Sequence, residues 1–427
     1  MQDWKTYKLG KITKWSSGGT PPKMHPEYWN GKIPWISAKS LKGRYVFDSD
    51  LKVTEAGLKK GSRLALKGSI LLLVRGSGLY NDIPVAMAVI DVAYNQDVKC
   101  IEPKIADLLN NFLLYWFKGN KVTLSNMLEA TSIGAGKFDM DRLFNLDVNL
   151  PSLQEQQAIA SILSALDDKI ELNLQINKTL EEMAMVLYKH WFVDFGPFQN
   201  GNFVETELGM IPEGWEVSLF SKFYDLKKGL SYKSKFYSKN GLPMINLKCF
   251  DKNGGFREDG IKYYSGDFKQ SNVVKPGDLM IAMTDLTQDR AVLGSPIICP
   301  EIGSGANVIA SLDIGILKQN NVFPENLNLY FNYKMRTKIY HEYILGYGNG
   351  STVMHLDKKG VLEYNSIVPS PDVILEFNKI VGKYRGLMMT NVHEIKALTT
   401  LRDTLLPKLI SGEIRVKDIE QMVAAAL

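Results

Sequence analysis

The sequence predicts an α+β fold built as a tandem repeat, in which two β-rich mixed domains are each followed by one long helix. Three observations predict it: landmarks of the first half return in the second, short β-branched runs fill most of each half, and each half closes with a long stretch poor in turn residues. A chain of 427 residues also exceeds what one ordinary hydrophobic core accommodates. Its 45% hydrophobic and 23% charged residues argue against a disordered protein.

The repeat is indicated by landmarks that recur in the same order with a slowly drifting offset. Trp4 and Trp215 lie 211 residues apart, and the segment that begins at Asn149 returns at Ile367 after 218 residues. Because only two copies exist, they predict a duplication with a pseudo-twofold relation rather than a solenoid. The alternative is two unrelated domains that share common turn motifs.

The first part of each half consists of short β-branched and aromatic runs broken by Gly, Pro, Asn and Asp, a pattern typical of strands and turns. Apolar residues at helical spacing predict one helix in each half, over residues 108–117 and 327–336. We expect strands over residues 69–74, 85–92, 278–283 and 308–317.

The second part of each half predicts one long helix. Glycine is absent from residues 152–195, and Ser152 followed by Glu155 three residues later has the pattern of a capping box. Pro371 fits the first turn of the second helix. We expect the first helix to end before Gly196-Pro197 and the second at Ser411-Gly412. A helix of about 35 residues would span roughly 50 Å, since each residue adds about 1.5 Å.

Both long helices carry a heptad pattern, and we expect them to pair as an antiparallel coiled coil. Each seam has an asparagine at its third core position, Asn173 and Asn391, and antiparallel pairing would bring these two amides together. The alternative is two separate amphipathic helices, each packed on its own domain, with both asparagines facing solvent. The predicted interface residues are Ile159, Ile162, Leu166, Asn173, Ile176, Leu180, Met183 and Leu187 in the first helix, and Phe377, Ile380, Tyr384, Leu387, Asn391, Leu398, Leu401 and Leu405 in the second.

Signatures of catalysis and metal binding are absent from the sequence. The three cysteines and five histidines have no spacing that suits a metal site, and residues 131–138 lack the first glycine and the final Ser/Thr of a phosphate loop. No secretory start and no apolar run of about 18 residues occur, so we expect a cytoplasmic protein. The net charge of +5 permits a polyanionic partner without requiring one. We therefore expect no catalytic residue and no directly bound metal or cofactor.

Loops of the two β-rich domains combine basic, amide and aromatic side chains with glycines. Lysine and arginine suit phosphates, amides suit base edges, and backbone N–H groups of Gly-rich turns can hold phosphate oxygens. Residues 152–192 carry three lysines against six acids, so the positive charge lies in the rest of the chain. For any single loop the alternative is an ordinary solvated turn. The candidate DNA-binding residues are Gly19, Thr20, Lys23, Trp35, Ser37, Lys39, Arg44 and Arg75 in the first domain, and Lys228, Lys233, Asn246, Lys248, Thr284, Gln288 and Arg290 in the second.

Several motifs follow one another in a fixed order along both halves of the chain. They are Gly18-Gly19-Thr20-Pro21, Ile33-Pro34-Trp35-Ile36-Ser37, Pro151-Ser152-Leu153-Gln154-Glu155-Gln156-Gln157, Leu208-Gly209-Met210-Ile211-Pro212-Glu213-Gly214-Trp215 and Leu406-Pro407-Lys408-Leu409-Ile410-Ser411-Gly412. This ordered set resembles the specificity subunits of Type I restriction–modification systems. The second half departs from the family pattern at Asp372-Val373-Ile374-Leu375-Glu376-Phe377, where a proline-leucine-x-x-glutamine start is expected, and at Lys228-Gly229-Leu230-Ser231, which replaces the Gly-Gly-Thr-Pro form.

The resemblance implies a sequence-specific DNA-binding subunit whose two β-rich domains each recognise one half of a bipartite, asymmetric site. It also implies that the helices set the spacing and dock two methyltransferase subunits, and that restriction/translocase subunits join the complex. S-adenosylmethionine, ATP and Mg2+ would bind these partners rather than this chain. A protein-binding scaffold and a nuclease with an unrecognised site are the alternatives. The implied domains are target-recognition domain 1 (residues 1–150), a central spacer helix (151–196), target-recognition domain 2 (197–368), a distal spacer helix (369–412) and a C-terminal tail (413–427).

Overall fold

Two compact units make up the chain, and each combines one β-rich domain with half of each long helix. The computed structural model describes residues 4–131, 134–252, 254–303 and 307–418. The first unit comprises the chain through Leu174 together with the part from Val392, and the second unit is Gln175–Asn391. Residues 419–427 of the expected C-terminal tail lie outside the described residues.

The β-rich domain of the first unit is built from short strands and short helices. Its helices are α1 (Leu9–Ile12), α2 (Glu55–Gly61), α3 (Asn110–Gly119), α4 (Lys121–Ser125) and α5 (Met140–Phe144). Its strands are β1 (Lys5–Lys8), β2 (Thr13–Ser17), β3 (Trp29–Ile36), β4 (Tyr45–Val46), β5 (Lys52–Val53), β6 (Leu64–Ala65), β7 (Ile70–Leu73), β8 (Arg75–Gly76), β9 (Val85–Ala88), β10 (Val92–Tyr94), β11 (Val98–Pro103), β12 (Leu128–Ala130), β13 (Gly136–Phe138) and β14 (Asp147–Leu150).

The long helix α6 (Leu153–Phe192) follows, and the chain then enters the β-rich domain of the second unit. The helices of that domain are α7 (Asn328–Lys334), α8 (Lys338–Leu345) and α9 (Lys358–Leu362), and the second long helix is α10 (Pro371–Ser411). Its strands are β15 (Phe203–Thr206), β16 (Gly209–Pro212), β17 (Glu216–Leu219), β18 (Tyr224–Lys228), β19 (Tyr237–Ile245), β20 (Lys262–Tyr264), β21 (Val273–Val274), β22 (Leu279–Ala282), β23 (Thr284–Asp285), β24 (Pro296–Ile298), β25 (Val308–Ala310), β26 (Ile314–Gln319), β27 (Gly348–Asn349), β28 (Met354–Leu356) and β29 (Asn365–Val368).

The sheets of the two domains have matching strand orders, which confirms the predicted tandem repeat. The order β2-β11-β7-β9 corresponds to β18-β26-β22-β24, with β4 as an additional edge strand in the first unit. The order β5-β3-β10-β6 corresponds to β20-β19-β25-β21, and β12-β13-β8 corresponds to β27-β28-β23. The two-stranded pairs β1-β14 and β17-β29 also match. The predicted strands and the two predicted short helices lie on β7, β9, β10, β22, β25, β26, α3 and α7.

A buried core in each unit joins the sheets to both long helices. In the first unit the apolar residues 112–117 of α3 pack in one cluster with Leu163 of α6 and Leu409 of α10. In the second unit Phe331 of α7 packs in one cluster with Tyr188 of α6 and Phe377 of α10. Burying large apolar side chains of all three elements together is what holds each β-rich domain on its section of the helices.

The long helices begin and end close to the predicted residues. The Ser152 hydroxyl accepts a hydrogen bond from the Glu155 amide at 3.3 Å, as an N-cap does. The capping box is incomplete, because the Glu155 carboxylate instead accepts hydrogen bonds from Trp4 at 3.1 Å and from Arg415 at 2.6 Å. The second helix starts at Pro371 and ends before Gly412, whose φ of 80° is the left-handed conformation of a helix C-terminus.

The predicted antiparallel pairing of the long helices is confirmed within each unit. In the first unit Arg402 bonds Asp167 at 2.8 Å, and Asn173 donates to Glu394 at 2.8 Å. The residue numbers of the α10 partners therefore fall as the numbers along α6 rise, so the two helices run antiparallel. In the second unit Asn391 bonds Asn177, and Tyr188 lies 6.2 Å from Phe377, ring centre to ring centre, so the order is again antiparallel.

The expected pairing of Asn173 with Asn391 is wrong, because each amide has another partner. Asn391 donates to the side-chain oxygen of Asn177 at 2.8 Å, whereas Asn173 is bonded to Glu394. Asn173 is buried and its own Oδ1 has no hydrogen-bond partner. Polar side chains of the facing helix, Glu394 for Asn173 and Asn177 for Asn391, take up these amides.

Four of the predicted interface residues keep more than a third of their surface exposed. The buried face of α6 instead includes Leu163, Asp167 and Ile170, so it is rotated toward the β-rich domain. A single helix packed against both a second helix and a sheet buries a wider stripe than a two-helix seam, and this shifts the centre of burial. The exposed four are Ile176 (39%), Met183 (44%), Leu387 (55%) and Leu401 (47%). Of the others, Ile159, Asn173, Leu180 and Phe377 are buried, and Ile162, Leu166, Leu187, Ile380, Tyr384, Asn391, Leu398 and Leu405 are half-buried.

Candidate nucleic-acid interface

Several loops of the first unit meet at one end of its five-stranded sheet, around the turn of residues 95–97. The Gly19 amide donates to the Tyr94 carbonyl at 2.9 Å, and the Asn95 amide donates to the Ile36 carbonyl at 2.9 Å. The Val74 amide donates to the Asp97 carbonyl at 2.8 Å. Loops that follow three different strands are therefore brought together by backbone pairing. We call residues 17–23, 37–39, 75 and 95–97 the first loop end.

The second unit has the same arrangement around residues 311–313. The Leu230 amide donates to the Ala310 carbonyl at 2.7 Å, and the Ser311 amide donates to the Ile245 carbonyl at 2.8 Å. The Met283 amide donates to the Asp313 carbonyl at 2.7 Å. We call residues 228–233, 246–248, 284–290 and 311–313 the second loop end.

The first loop end exposes three of the six residues predicted there. Lys23, Lys39 and Arg75 are exposed, and Ser37 is half-buried. The Thr20 hydroxyl, also half-buried, donates to the side-chain oxygen of Gln96 at 2.7 Å, which ties the glycine-rich loop to the central turn.

Gly19 has a packing role in this loop. A Cβ atom at that position would lie 2.4 Å from the Gly61 carbonyl oxygen, so a larger residue would push the two backbone segments apart. The requirement for glycine is therefore explained by close approach of the backbone, independently of any ligand.

Trp35 is part of the protein interior, so its predicted place on the DNA surface is wrong. It is buried at the end of β3, forms a small core with Val53 and Ala93, and meets Trp29 edge to face at 5.3 Å. Its indole N–H donates to the Gly19 carbonyl at 3.0 Å. The buried ring, whose N–H already has a hydrogen-bond acceptor, supports the glycine-rich loop and is not available to a ligand.

Arg44 is also not a surface residue, because its guanidinium packs against α6. Its side chain is 10% exposed and donates to the Tyr115 hydroxyl at 3.0 Å and to the Ser164 carbonyl at 3.1 Å. It also pairs with Asp168. The cation therefore holds the β-rich domain on the long helix, a role that depends on residues more than 100 positions away in the sequence.

The second loop end exposes five of its seven predicted residues and buries the other two. Asn246 is buried, accepts a hydrogen bond from the Lys248 amide at 3.0 Å and donates to the Gly260 carbonyl at 2.8 Å, so it caps a short turn. Thr284 is buried in β23, with its hydroxyl 3.5 Å from Nδ1 of His355. Both predictions of DNA contact are wrong: Asn246 is held inside by the turn that it caps, and Thr284 points to the inner face of its strand. The exposed five are Lys228, Lys233, Lys248, Gln288 and Arg290.

Two exposed residues beside the loop ends were missed from the sequence. Lys137 on β13 pairs with Arg75 on β8, and His355 on β28 pairs with Thr284 on β23. The sequence contained a signal for them, since they lie 218 residues apart, the offset that also relates the ends of the two β-rich domains. Lys137 also belongs to residues 131–138, the incomplete match to a phosphate loop, of which residues 132 and 133 lie outside the described residues.

The described residues hold no metal-binding cluster, and two of their cysteine thiols are unreactive. Among them, no three His, Cys, Asp or Glu side chains come together as a metal site. Burial raises the pKa of the Cys249 thiol to about 11 and that of Cys299 to about 12, which leaves both thiols protonated and unreactive near neutral pH. In the part of the chain that is described, no helix is both long enough and apolar enough to cross a membrane.

Comparison with known proteins points to one family. Residues 1–182 match the protein family described as "Type I restriction modification DNA specificity domain". Over 437 aligned residues the chain is 29% identical to the MjaIX specificity subunit of a Type I restriction enzyme from Methanocaldococcus jannaschii, covering 98% of this chain and 95% of that protein. The chain is therefore similar to Type I restriction–modification specificity subunits over nearly its whole length. These matches are to specificity subunits, in agreement with the expectation that the chain is itself non-catalytic.

Other relatives agree with this assignment of the specificity subunit. It is 24% identical to the HindI specificity subunit of Haemophilus influenzae over 97% of this chain and 100% of that protein. It is 34% identical to the EcoR124I/EcoR124II specificity subunit of Escherichia coli over 39% of this chain and 41% of that protein. The crystal structure of a Type I S subunit from M. genitalium has the same fold, with a TM-score of 0.57 at 16% identity and 96% coverage of both chains. The predicted fold of mixed domains and two paired long helices is thereby confirmed.

Proposed function

We propose that each unit recognises one half of a bipartite, asymmetric double-stranded DNA site through its loop end. The observation that carries the proposal is the repetition: two domains of matching topology each bring several loops together around one turn. A split site with two different half-sites requires two recognition domains. Two domains of matching topology that carry different side chains at their loop ends meet this requirement.

The side chains at the loop ends support contact with DNA. Exposed lysines and arginines can bind phosphates and supply the salt-dependent part of the affinity. Lys23, Lys39 and Arg75 serve the first loop end, and Lys228 and Arg290 serve the second. Polar side chains such as Gln288 and Ser37 suit hydrogen bonds to base edges in the major groove.

The long helices are proposed to set the distance between the half-sites and to dock two methyltransferase subunits. Each helix runs without a break through a section of both units, because α6 spans Leu153–Phe192 and α10 spans Pro371–Ser411. Their surfaces carry exposed apolar residues, among them Leu172, Val186 and Leu387, which suit protein contacts. Restriction/translocase subunits would complete the assembly in the cytoplasm, and S-adenosylmethionine, ATP and Mg2+ would bind to those partners.

Methylome sequencing tests the proposal most directly. Cells that express the full chain with its cognate methyltransferase subunits should acquire adenine methylation at one split, asymmetric motif, and cells without the chain should lack it. If the same sites are methylated with and without the chain, the result would contradict the proposal and favour a protein-binding scaffold. DNA cleavage by the purified chain alone would instead favour the nuclease.

The spacer role has its own test in matched helix deletions. Removing four residues from α6 and four from the facing part of α10 shortens each helix by about 6 Å, or roughly two base pairs. The methylated half-sites should stay the same and the gap between them should shrink. Deleting four residues from α6 alone is the control, because it breaks the pairing of the helices and should abolish methylation.

A further inference from the structure

A row of three side chains crosses the small three-stranded sheet beside each loop end. In the first unit Lys137 of β13 lies opposite Arg75 of β8 and Glu129 of β12, and we call these three residues the first row. In the second unit His355 lies opposite Thr284 and Asn349, which we call the second row. Directly opposed residues of antiparallel strands point to the same face of a sheet. Each row therefore presents one line of side chains, at equivalent places in the two units.

Backbone hydrogen bonds place both rows against the loop ends. The Val74 amide bonds the Asp97 carbonyl at 2.8 Å, and the Val74 carbonyl accepts from the Phe138 amide at 3.0 Å, so the sheet of the first row continues directly from the central turn. Met283 has the same two bonds in the second unit, to Asp313 at 2.7 Å and from Leu356 at 2.8 Å. A ligand bound at a loop end would lie next to the row.

The first row sets two cations opposite each other. Arg75 and Lys137 are both exposed, and like charges at directly opposed positions of a sheet oppose folding. Glu129 partly offsets one of them, with its carboxylate 3.9 Å from the Lys137 ammonium group. No carboxylate among the described residues pairs with Arg75. An anion between the two cations would relieve their repulsion, and a phosphate oxygen suits both groups.

The second row has neutral hydrogen-bonding groups in the equivalent places. His355 and Asn349 are exposed, while Thr284 is buried with its hydroxyl 3.5 Å from Nδ1 of the imidazole. That contact limits the orientation of the ring and leaves its other nitrogen and the Asn349 amide to face outward. Oriented amide and imidazole groups suit base edges, whose donors and acceptors differ between bases, better than they suit a phosphate.

We propose that the first row binds a backbone phosphate of its half-site, whereas the second row contacts base edges of the other half-site. The inference rests on the proposed function and adds to it which chemical groups of the DNA each domain contacts. Lys137 and Arg75 then position the first domain, and His355 and Asn349 determine part of the sequence specificity of the second.

The first test is the salt dependence of DNA binding by the full chain in complex with its methyltransferase subunits, on a duplex that carries the methylated motif. Lys137→Gln should weaken binding to all sequences alike and lower the slope of log affinity against log salt by about 1. Arg75→Gln, on the neighbouring strand, should do the same, and Lys137→Arg should keep the wild-type slope. Lys14→Gln is the matched control, because Lys14 is another exposed lysine near a glutamate, 3.6 Å from Glu102 on the same unit.

The second test is sequence discrimination by a His355 variant of the same complex. His355→Ala should leave the salt slope unchanged and reduce discrimination against base changes in one half-site by about tenfold. His341→Ala, which replaces a histidine outside the row, should leave both quantities unchanged. A wild-type slope in both Lys137→Gln and Arg75→Gln, or wild-type discrimination in His355→Ala, would overturn the inference. If no split motif is methylated, the proposed function itself fails. If a split motif is methylated but the variants bind DNA like the wild type, only the inference about the two rows fails.

Discussion

Asp167 connects both long helices to the first β-rich domain, and removing its charge should destabilise the first unit strongly. Arg402 of α10 bonds its carboxylate at 2.8 Å, and the Tyr115 hydroxyl of α3 donates to it at 3.0 Å. The cationic groups of Lys118 and Arg44 lie 3.7 and 3.8 Å away. Burial alone would raise the pKa of Asp167, but Lys118, Arg402 and Tyr115 outweigh it and lower that pKa.

The variant Asp167→Asn keeps the shape of the side chain and removes the charge. Three cations would then share a poorly solvated site without their common counter-ion, and breaking a buried ion pair in this way costs about 3–5 kcal/mol. Arg402 retains 25% exposure of its side chain, so we expect the lower end, about 3 kcal/mol. For a unit of this size the loss corresponds to a melting temperature lower by roughly 6–12 °C.

Differential scanning calorimetry of the full chain, with the first and second units followed as separate transitions, provides the measurement. Asp168→Asn is the matched control: Asp168 is the adjacent residue, is 65% exposed and pairs with Arg44, so its loss should cost no more than about 1 kcal/mol. Because the pKa of Asp167 is lowered in the folded state, its contribution is present above the ordinary carboxylate range and is lost as the pH falls below it. Equal melting temperatures of the first unit in wild type and Asp167→Asn near neutral pH would refute the role assigned to this carboxylate.

Three further predictions concern stability. Asn173→Leu should raise the free energy of unfolding by about 1 kcal/mol in denaturant titrations, whereas Asn391→Leu should not. The substitution removes a buried oxygen without a partner, and the partly exposed Glu394 carboxylate that loses the Asn173 amide keeps Lys169 at 3.3 Å. Gly19→Ala should lower the melting temperature, at a cost of about 1–3 kcal/mol, because its methyl group would meet the Gly61 carbonyl; an unchanged melting temperature would contradict that packing. Burial lowers the pKa of Lys334 to about 8, below its ordinary 10.5, so between these values the unfolded chain binds the extra proton. Urea titrations at pH 8 and 10 should therefore show the second unit more stable at pH 10, and Lys334→Met should abolish that rise.

The long helices and the repeat were predictable because their signals are local and periodic. A proline or serine at the start and a glycine at the end define each helix within a few residues of where it lies. The seam was predicted less well, since Leu387 and Leu401 fit the heptad count and yet are exposed. Periodicity shows that a helix has an apolar face, but it does not show how that face is divided between a second helix and a sheet.

The loop ends could be predicted only in part. Side chains such as Lys39 and Gln288 are exposed as expected, because charged and amide groups in turns remain in water unless a partner buries them. Arg44 has such a partner, Asp168, which lies 124 residues away. Asn246 is bonded to a carbonyl 14 residues away, and nothing in its own segment indicates that bond.

By itself the sequence determined that the protein is a duplicated α+β chain with two long pairing helices and polar, basic loops, since composition, periodicity and turn residues act over short stretches of chain. Only the tertiary structure decided which of these loop residues face outward, which partner each helix asparagine takes, and that Arg75 stands opposite Lys137 while Thr284 stands opposite His355. The physical reason is strand register: whether a side chain points to solvent or core, and what lies across from it, depends on a neighbouring strand that can be dozens of residues away in sequence.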